Sequence, residues 1–543
     1  MMKKYFFLIV FVFAVHFLLA QTIKKNQKPK LVIGLVIDQM RWDYLYRYSD
    51  HYSSNGFKRL INNGFSCDNT LIPYVPTYTA PGHTCIYTGS VPAIHGMVSN
   101  DWYDAATKKD VYCTDDSTVH TIGSTSNEGK MSPRNLWVTT VGDELRLSNN
   151  FNSKVIGIAL KDRAAILPAG RGANAAYWYD DTNGKWITSS YYADELPSWV
   201  IKENEKNLSD KAMARDWNTL LPIEKYSQST SDNETYEGRI PGEKDPTFPH
   251  RLSQITKSKY AAFKYTPFAA TFTFDMAEAA IDNEKLGKNN VTDFLAISIS
   301  STDYMGHTFG PNSIEAEDTY LRLDKDIADF LNYLDATVGK GNYLLFLSAD
   351  HGVLQVPGFL KEHKIPAEIY NTNILSEKLK SRISDVFGLK NAIATIENNQ
   401  VYLNDQEIKN AGKNLAAVED EVVHFLNEQP FIAYAFVNNN LAMATIPSPM
   451  KTRLINGYNP KRSGQIGYIQ KPGYIGDGST GTTHGAWNPY DAHIPLIWFG
   501  YNIKSGKTNR ETYMTDIAPT ISAILNIQMP SGSVGKVIEE VVK

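Results

Sequence analysis

The chain has 543 residues, 42% of them hydrophobic and 21% charged, with 54 Lys and Arg against 58 Asp and Glu and a net charge near −4. The length exceeds what one simple core needs, so we expect one large catalytic domain with long insertions, or two domains. The composition excludes a disordered chain or a coiled coil, and the mildly acidic balance excludes a general nucleic-acid binder.

The N-terminus reads as a targeting segment. Lys3 and Lys4 precede an apolar run from Tyr5 to Ala20 that is short for a membrane span. Cleavage after Ala20 leaves residues 21–543 and moves the net charge to about −6, because only two lysines are lost. A retained anchor is the alternative. No Cys follows the run, which argues against a lipoprotein, and no later stretch resembles a span. Cys67, Cys85 and Cys113 are the three cysteines. In an exported protein two of them could pair and leave one free, with the pairing undetermined.

Residues 30–37 form a continuous apolar run, expected of a strand buried on both faces of a parallel sheet. It stops at Asp38, which places a carboxylate at the sheet's carboxyl edge, where open α/β sheets build their sites. A helix N-cap would also explain Asp38. The stretch 75–84 follows, with Thr79 at a strand-to-helix corner and a short helix expected from Thr84 to Gly89. Free backbone N–H groups at such a corner hold an anion, so Thr79 reads as a nucleophile and the anion as phosphate; an N-cap threonine is the ordinary alternative. Asn100 is either a turn residue or an amide donor facing the site. Residues 154–160 read as another buried strand running into Lys161, Asp162 and Arg163. In extended chain Lys161 and Arg163 project to one side, toward the active edge or into a solvated turn.

Residues 170–285 read as a large insertion of loops and short elements over one side of the sheet. Residues 294–300 read as a strand, followed by Asp303 and His307, then by a helix capped by Ser313 and running to about Val338. Residues 343–349 form the next strand, ending at Asp350 and His351, which completes a right-handed βαβ unit. Residues 355–465 read as a second insertion, a small α+β unit. His484 lies in a Gly- and Thr-rich loop, and residues 494–500 make a last strand.

A parallel sheet brings these strand ends to one edge. Asp38, Asp303, His307, Asp350, His351 and His484 then make a mixed oxygen and nitrogen donor set that suits zinc better than magnesium. Six such ligands and a Thr oxygen are too many for one tetrahedral ion but suit two.

This combination resembles the alkaline phosphatase superfamily, in particular the periplasmic PafA-type alkaline phosphatases. The segments that carry the resemblance are 36–43, Thr79 with its flanks, 100–103, 160–163, 301–307, 348–352 and 482–484. It implies a three-layer α/β/α fold with a mostly parallel central sheet and two large insertions. It implies two Zn²⁺ per chain, one held by Asp303, His307 and His484, the other by Asp38, Asp350, His351 and the Thr79 oxygen. It also implies that Asn100, Lys161 and Arg163 touch the transferred phosphoryl group, that the product is inorganic phosphate, and that the enzyme is periplasmic or secreted. The expected activity is hydrolysis of small phosphate monoesters through a phosphothreonine intermediate, with no nucleic acid as partner, no stable membrane span after cleavage, and a monomeric state. A phosphodiesterase or nucleotide pyrophosphatase of the same superfamily is the nearest rival, which Lys161 and Arg163 disfavour because a diester carries one fewer negative charge. A sulfatase would need a Cys or Ser at position 79 and an Arg where His83 stands. A catalytically dead binding protein would not be expected to keep every ligand and nucleophile position filled.

Overall fold

The computed structural model describes residues 28–543; the expected leader, residues 1–20, lies outside the described residues. Among these, ten strands form the central sheet: β1 (Leu31–Ile37), β2 (Phe65–Cys67), β3 (Thr121–Ile122), β4 (Val155–Ala159), β5 (Ala175–Asp180), β6 (Lys185–Ser189), β7 (Asp293–Ile299), β8 (Tyr343–Ser348), β9 (Leu496–Gly500) and β10 (Gly506–Thr508). Their spatial order is β10-β2-β9-β8-β1-β7-β4-β5-β6-β3. The five strands β8-β1-β7-β4-β5 run parallel. Every residue of β1, β7 and β8 is buried, as their unbroken apolar runs require when helices cover both faces.

Those helices are α1 (Thr79–Thr88), α2 (Asp162–Ala169), α3 (Phe268–Glu284), α4 (Ser301–Phe309), α5 (Ile314–Leu334) and α6 (Ile517–Leu525). α1 packs on α2 and α6, and α3 packs on α5. The Ser313 hydroxyl caps α5 by accepting from the Ala316 N–H at 3.1 Å. Its expected stripe, Leu323, Ile327, Phe330, Leu331 and Leu334, is buried in the core.

Four expectations are corrected. The stretch 170–285 is not wholly an insertion: β5 and β6 extend the central sheet, and α3 packs against β7 and β4. The strand expected at residues 494–500 is not the last: β9 runs antiparallel to β8, and β10 follows it in the chain and in the same sheet. Lys161 is extended, but α2 begins at Asp162, so Arg163 sits in a helical turn and not beside Lys161 on one extended face. All three cysteines are free and buried, Cys67 and Cys85 in the main core and Cys113 in a separate cluster with Met97 and Trp102.

The second insertion is an α+β unit. Strands Ile393–Glu397, Gln400–Leu403, Ile466–Gln470 and Ile432–Val437 form an antiparallel sheet in that spatial order. Helices Thr372–Phe387 and Leu415–Asn427 complete a core of its own, containing Leu379, Val401, Val418 and Ile466. The turn between its first two strands is Asn398-Asn399, both at positive φ (53° and 59°), a conformation asparagine tolerates better than most residues. The Asn398 amide donates to the backbone and side-chain oxygens of Asp101, both at 3.0 Å. This unit is thereby pinned to the residue beside Asn100.

Buried His250 lies between Glu243 (3.0 Å) and Glu315 (3.2 Å), with Glu237 and Asp232 close by. Burial disfavours its imidazolium, but the two glutamates outweigh burial and push it up to about 9. A group raised from its ordinary value near 6.5 stabilises the fold fully below that value, and loses the contribution as pH rises through about 9. His250→Gln should therefore cost on the order of 3 kcal/mol at pH 6, and the gap to wild type should narrow by pH 10. Urea midpoints at the two pH values check this; a pH-independent gap would refute it.

Candidate active site

Four adjacent parallel strands each deliver polar groups at their carboxyl ends. Asp38 follows β1, Asp350 and His351 follow β8, Asp303 lies in the first turn of α4 after β7, and Lys161 follows β4. His307 lies one turn after Asp303 on α4, and His484 arrives on a loop. Asp38, Asp350 and His351 are fully buried.

The three histidines share one geometry. Nδ1 of His307 lies 2.8 Å from Thr482 O, Nδ1 of His484 2.7 Å from Thr77 O, and Nδ1 of His351 3.0 Å from Gly352 O. A carbonyl oxygen only accepts, so each Nδ1 carries the proton and each Nε2 presents a lone pair. Those Nε2 atoms face carboxylates. His307 and His484 stand 3.2 and 3.7 Å from Asp303 Oδ1. His351 stands 3.3 Å from Asp350 Oδ2 and 3.7 Å from Asp38 Oδ1. The His351 and His484 rings stack with centroids 3.5 Å apart.

The donor atoms of Asp38, Asp350 and His351 converge within 4.8 Å of one another, as do those of Asp303, His351 and His484. Asp38 Oδ1 and Asp350 Oδ2 are buried and accept no hydrogen bond. Orphaned buried carboxylate oxygens are costly without a cation, so the donor set fits metal ions. Electrostatics agrees. Burial and then Asp350 raise the Asp38 carboxyl well above its ordinary range. Burial, then His351 and His307, hold His484 well below its own, in the neutral form that binds metal.

Thr79 is the first residue of α1, with Tyr78 as its N-cap, so α1 starts five residues earlier than the sequence suggested and ends, as expected, at Gly89 (φ 63°). Its hydroxyl is buried, 3.5 Å from both His351 Nε2 and Lys161 Nζ. Asn100 Oδ1 accepts the Ala80 N–H at 2.9 Å. That N–H is therefore engaged and not open to an anion as expected, while the Asn100 NH₂ is left to donate. Lys161 Nζ bridges Asp38 Oδ2 (2.8 Å) and Asp303 Oδ2 (2.6 Å). Burial works against the ammonium, but Asp303 and Asp38 outweigh it and hold Lys161 above its ordinary range. Arg163 makes no hydrogen bond to Thr79. Its Nη1 donates to Tyr112 OH at 2.9 Å, and its buried Nε has no partner.

Sequence reasoning missed Gln39. At φ 63°, its backbone N–H donates to Asp350 Oδ1 (3.1 Å) and its side-chain amide to Asp303 Oδ1 (2.7 Å), tying two carboxylates together. Gly306 makes room, since a Cβ there would stand 2.0 Å from the Gln39 Oε1. Gly82 similarly lets α1 pack onto Asp350, whose backbone oxygen would lie 2.5 Å from an added Cβ. Tyr112 and the contact of His83 Nδ1 with Asp350 Oδ2 (3.3 Å) were missed too. None of these residues ends a buried strand, and no local spacing marks them.

Residues 32–491 match the family model for type I phosphodiesterase / nucleotide pyrophosphatase. The chain is 52% identical to alkaline phosphatase PafA of Elizabethkingia meningoseptica over 96% of each chain. It is 53% identical to alkaline phosphatase PhoV of Synechococcus elongatus over 95% of this chain and 93% of that one. The crystal structure of wild-type PafA superposes with a TM-score of 0.93 at 52% identity, covering 95% of this chain and 99% of that one.

Proposed function

From its membership of the type I phosphodiesterase / nucleotide pyrophosphatase family, together with relatives above 50% identity along nearly the whole chain, we infer that the protein is an alkaline phosphatase hydrolysing phosphate monoesters. The observation that carries the site assignment is the convergence of Thr79, three carboxylates and three Nε2 lone pairs at one sheet edge. No helix among the described residues is long and apolar enough to cross a membrane.

Two Zn²⁺ ions fit the donor set, one held by Asp38, Asp350, His351 and the Thr79 oxygen, the other by Asp303, His307 and His484. Bound there, they would acidify the Thr79 hydroxyl and neutralise charge on the leaving oxygen. The chain's own groups do the rest. α1 aims its N-terminus at the site, so the Thr79 oxygen attacks phosphorus where the helix dipole favours negative charge. Lys161, the Asn100 amide and Arg163 stabilise the equatorial oxygens of the phosphoryl group in the transition state. A phosphothreonine forms, and water then releases inorganic phosphate. Gln39 holds Asp303 and Asp350 in register throughout.

The test compares p-nitrophenyl phosphate with bis-p-nitrophenyl phosphate on zinc-loaded protein. The monoester should be faster in kcat/KM by at least about a thousandfold. Chelation should abolish both activities, and zinc should restore them. A diester rate equal to the monoester rate would place the chain with the phosphodiesterases instead.

A further inference from the structure

A cavity of about 330 Å³ opens between the second insertion and the His484 loop. It begins at His484 and at Tyr78, the residue that precedes Thr79 in the chain, and is walled by the 398–399 turn, which Asp101 pins in place. Its lining includes five tyrosines, Tyr78, Tyr370 and Tyr468 among them, and three carboxylates, Glu397, Asp477 and Asp491; it contains no lysine or arginine. Two of those carboxylates are incompletely paired. Asp491 is 1% exposed, and its Oδ1 has no hydrogen-bond partner; Glu397 Oε1 is likewise buried and unpartnered. Burial, with Asp110 and Asp101 adding to it, lifts Glu397 to about 7, as happens to a carboxylate lacking a nearby cation.

Tyrosine faces and carboxylates together attract an organic cation, and a quaternary or protonated amine is the ligand such cages select. The cavity would repel an anionic leaving group such as a nucleoside diphosphate. Taking the proposed function as its premise, with His484 on the leaving-group side, we propose that this cavity is a leaving-group subsite for phosphate monoesters of amino alcohols, in which the cationic nitrogen lies among the tyrosines, Glu397 and Asp491. The substrate phosphate stays with Thr79, and the alcohol departs into the cavity.

Binding and turnover test this separately. Choline and its uncharged isostere 3,3-dimethylbutanol would be titrated calorimetrically into the zinc-loaded protein. Choline should bind about tenfold tighter, and Glu397→Gln should reduce that preference several-fold. Asp491→Asn should act in the same direction, and Glu397 lies on an insertion hairpin where a failure to fold is not expected. In turnover, the kcat/KM ratio of phosphocholine to 3,3-dimethylbutyl phosphate should fall in Glu397→Gln, with methyl phosphate reporting the phosphoryl chemistry alone. Equal binding of the two alcohols, or a substrate ratio unmoved by both variants, would overturn the subsite while methyl phosphate hydrolysis still upheld the phosphatase. Failure to turn over methyl phosphate and p-nitrophenyl phosphate would instead sink the function on which it rests.

Discussion

Thr79→Ala should lower kcat on p-nitrophenyl phosphate at least about a thousandfold, some 4 kcal/mol of barrier, while the protein keeps its zinc. The hydroxyl is buried at the first position of α1 and reaches His351 and Lys161 at 3.5 Å, and alanine removes the oxygen proposed to attack phosphorus. Alanine suits a first helical turn, and no cap is lost, because Tyr78 and not Thr79 occupies the N-cap. Stability should therefore stay near wild type. Thr79→Ser keeps the oxygen and should stay within about tenfold of wild type. Steady-state rates with parallel metal analysis and thermal melts check all three statements. Near-normal turnover in the alanine variant, with metal retained, would remove Thr79 from the nucleophile role.

The second large effect concerns substrate charge. A monoester's phosphoryl group carries one more negative charge than a diester's, and the buried Lys161 and half-buried Arg163 are the means to recognise it. Lys161 already stands 3.5 Å from the nucleophile, and Arg163, braced on Tyr112, has an unpaired buried Nε–H. The double variant Lys161→Ala/Arg163→Ala should lose more than about a thousandfold in kcat/KM on p-nitrophenyl phosphate, but only about tenfold on bis-p-nitrophenyl phosphate. Lys161→Ala alone also unpairs Asp38 and Asp303, so chelation should destabilise it more than it does wild type. Equal losses on both esters would show that the cations hold the site together and do not read substrate charge.

Much of this site is readable from sequence because a buried parallel strand is an unbroken apolar run, and its end is marked by the first charged residue. Asp38, Asp303, Asp350 and Lys161 all carry that mark, and His307 and His351 stand close behind. What could not be read depends on tertiary approach. Gln39 matters because positive φ turns its backbone toward Asp350 while its side chain crosses to Asp303, and neither fact has a local signature. β5 and β6 lie in a region dense with turns and aromatic residues, so the weak pattern hid their place in the sheet. The start of α1 at Thr79 was obscured by Pro81 and Gly82, poor helix formers that a first turn nonetheless accepts.

The donor residues run from position 38 to position 484, so a fragment that contains them all must span at least residues 38–484. A chain emerging from synthesis or translocation therefore lacks the second of the two proposed metal sites until the His484 loop has been delivered, although the residues of the first are present once His351 has emerged. Capture of the second metal then reports finished assembly. Truncation before the His484 loop should yield a protein that no supply of zinc can activate, however well its sheet has formed.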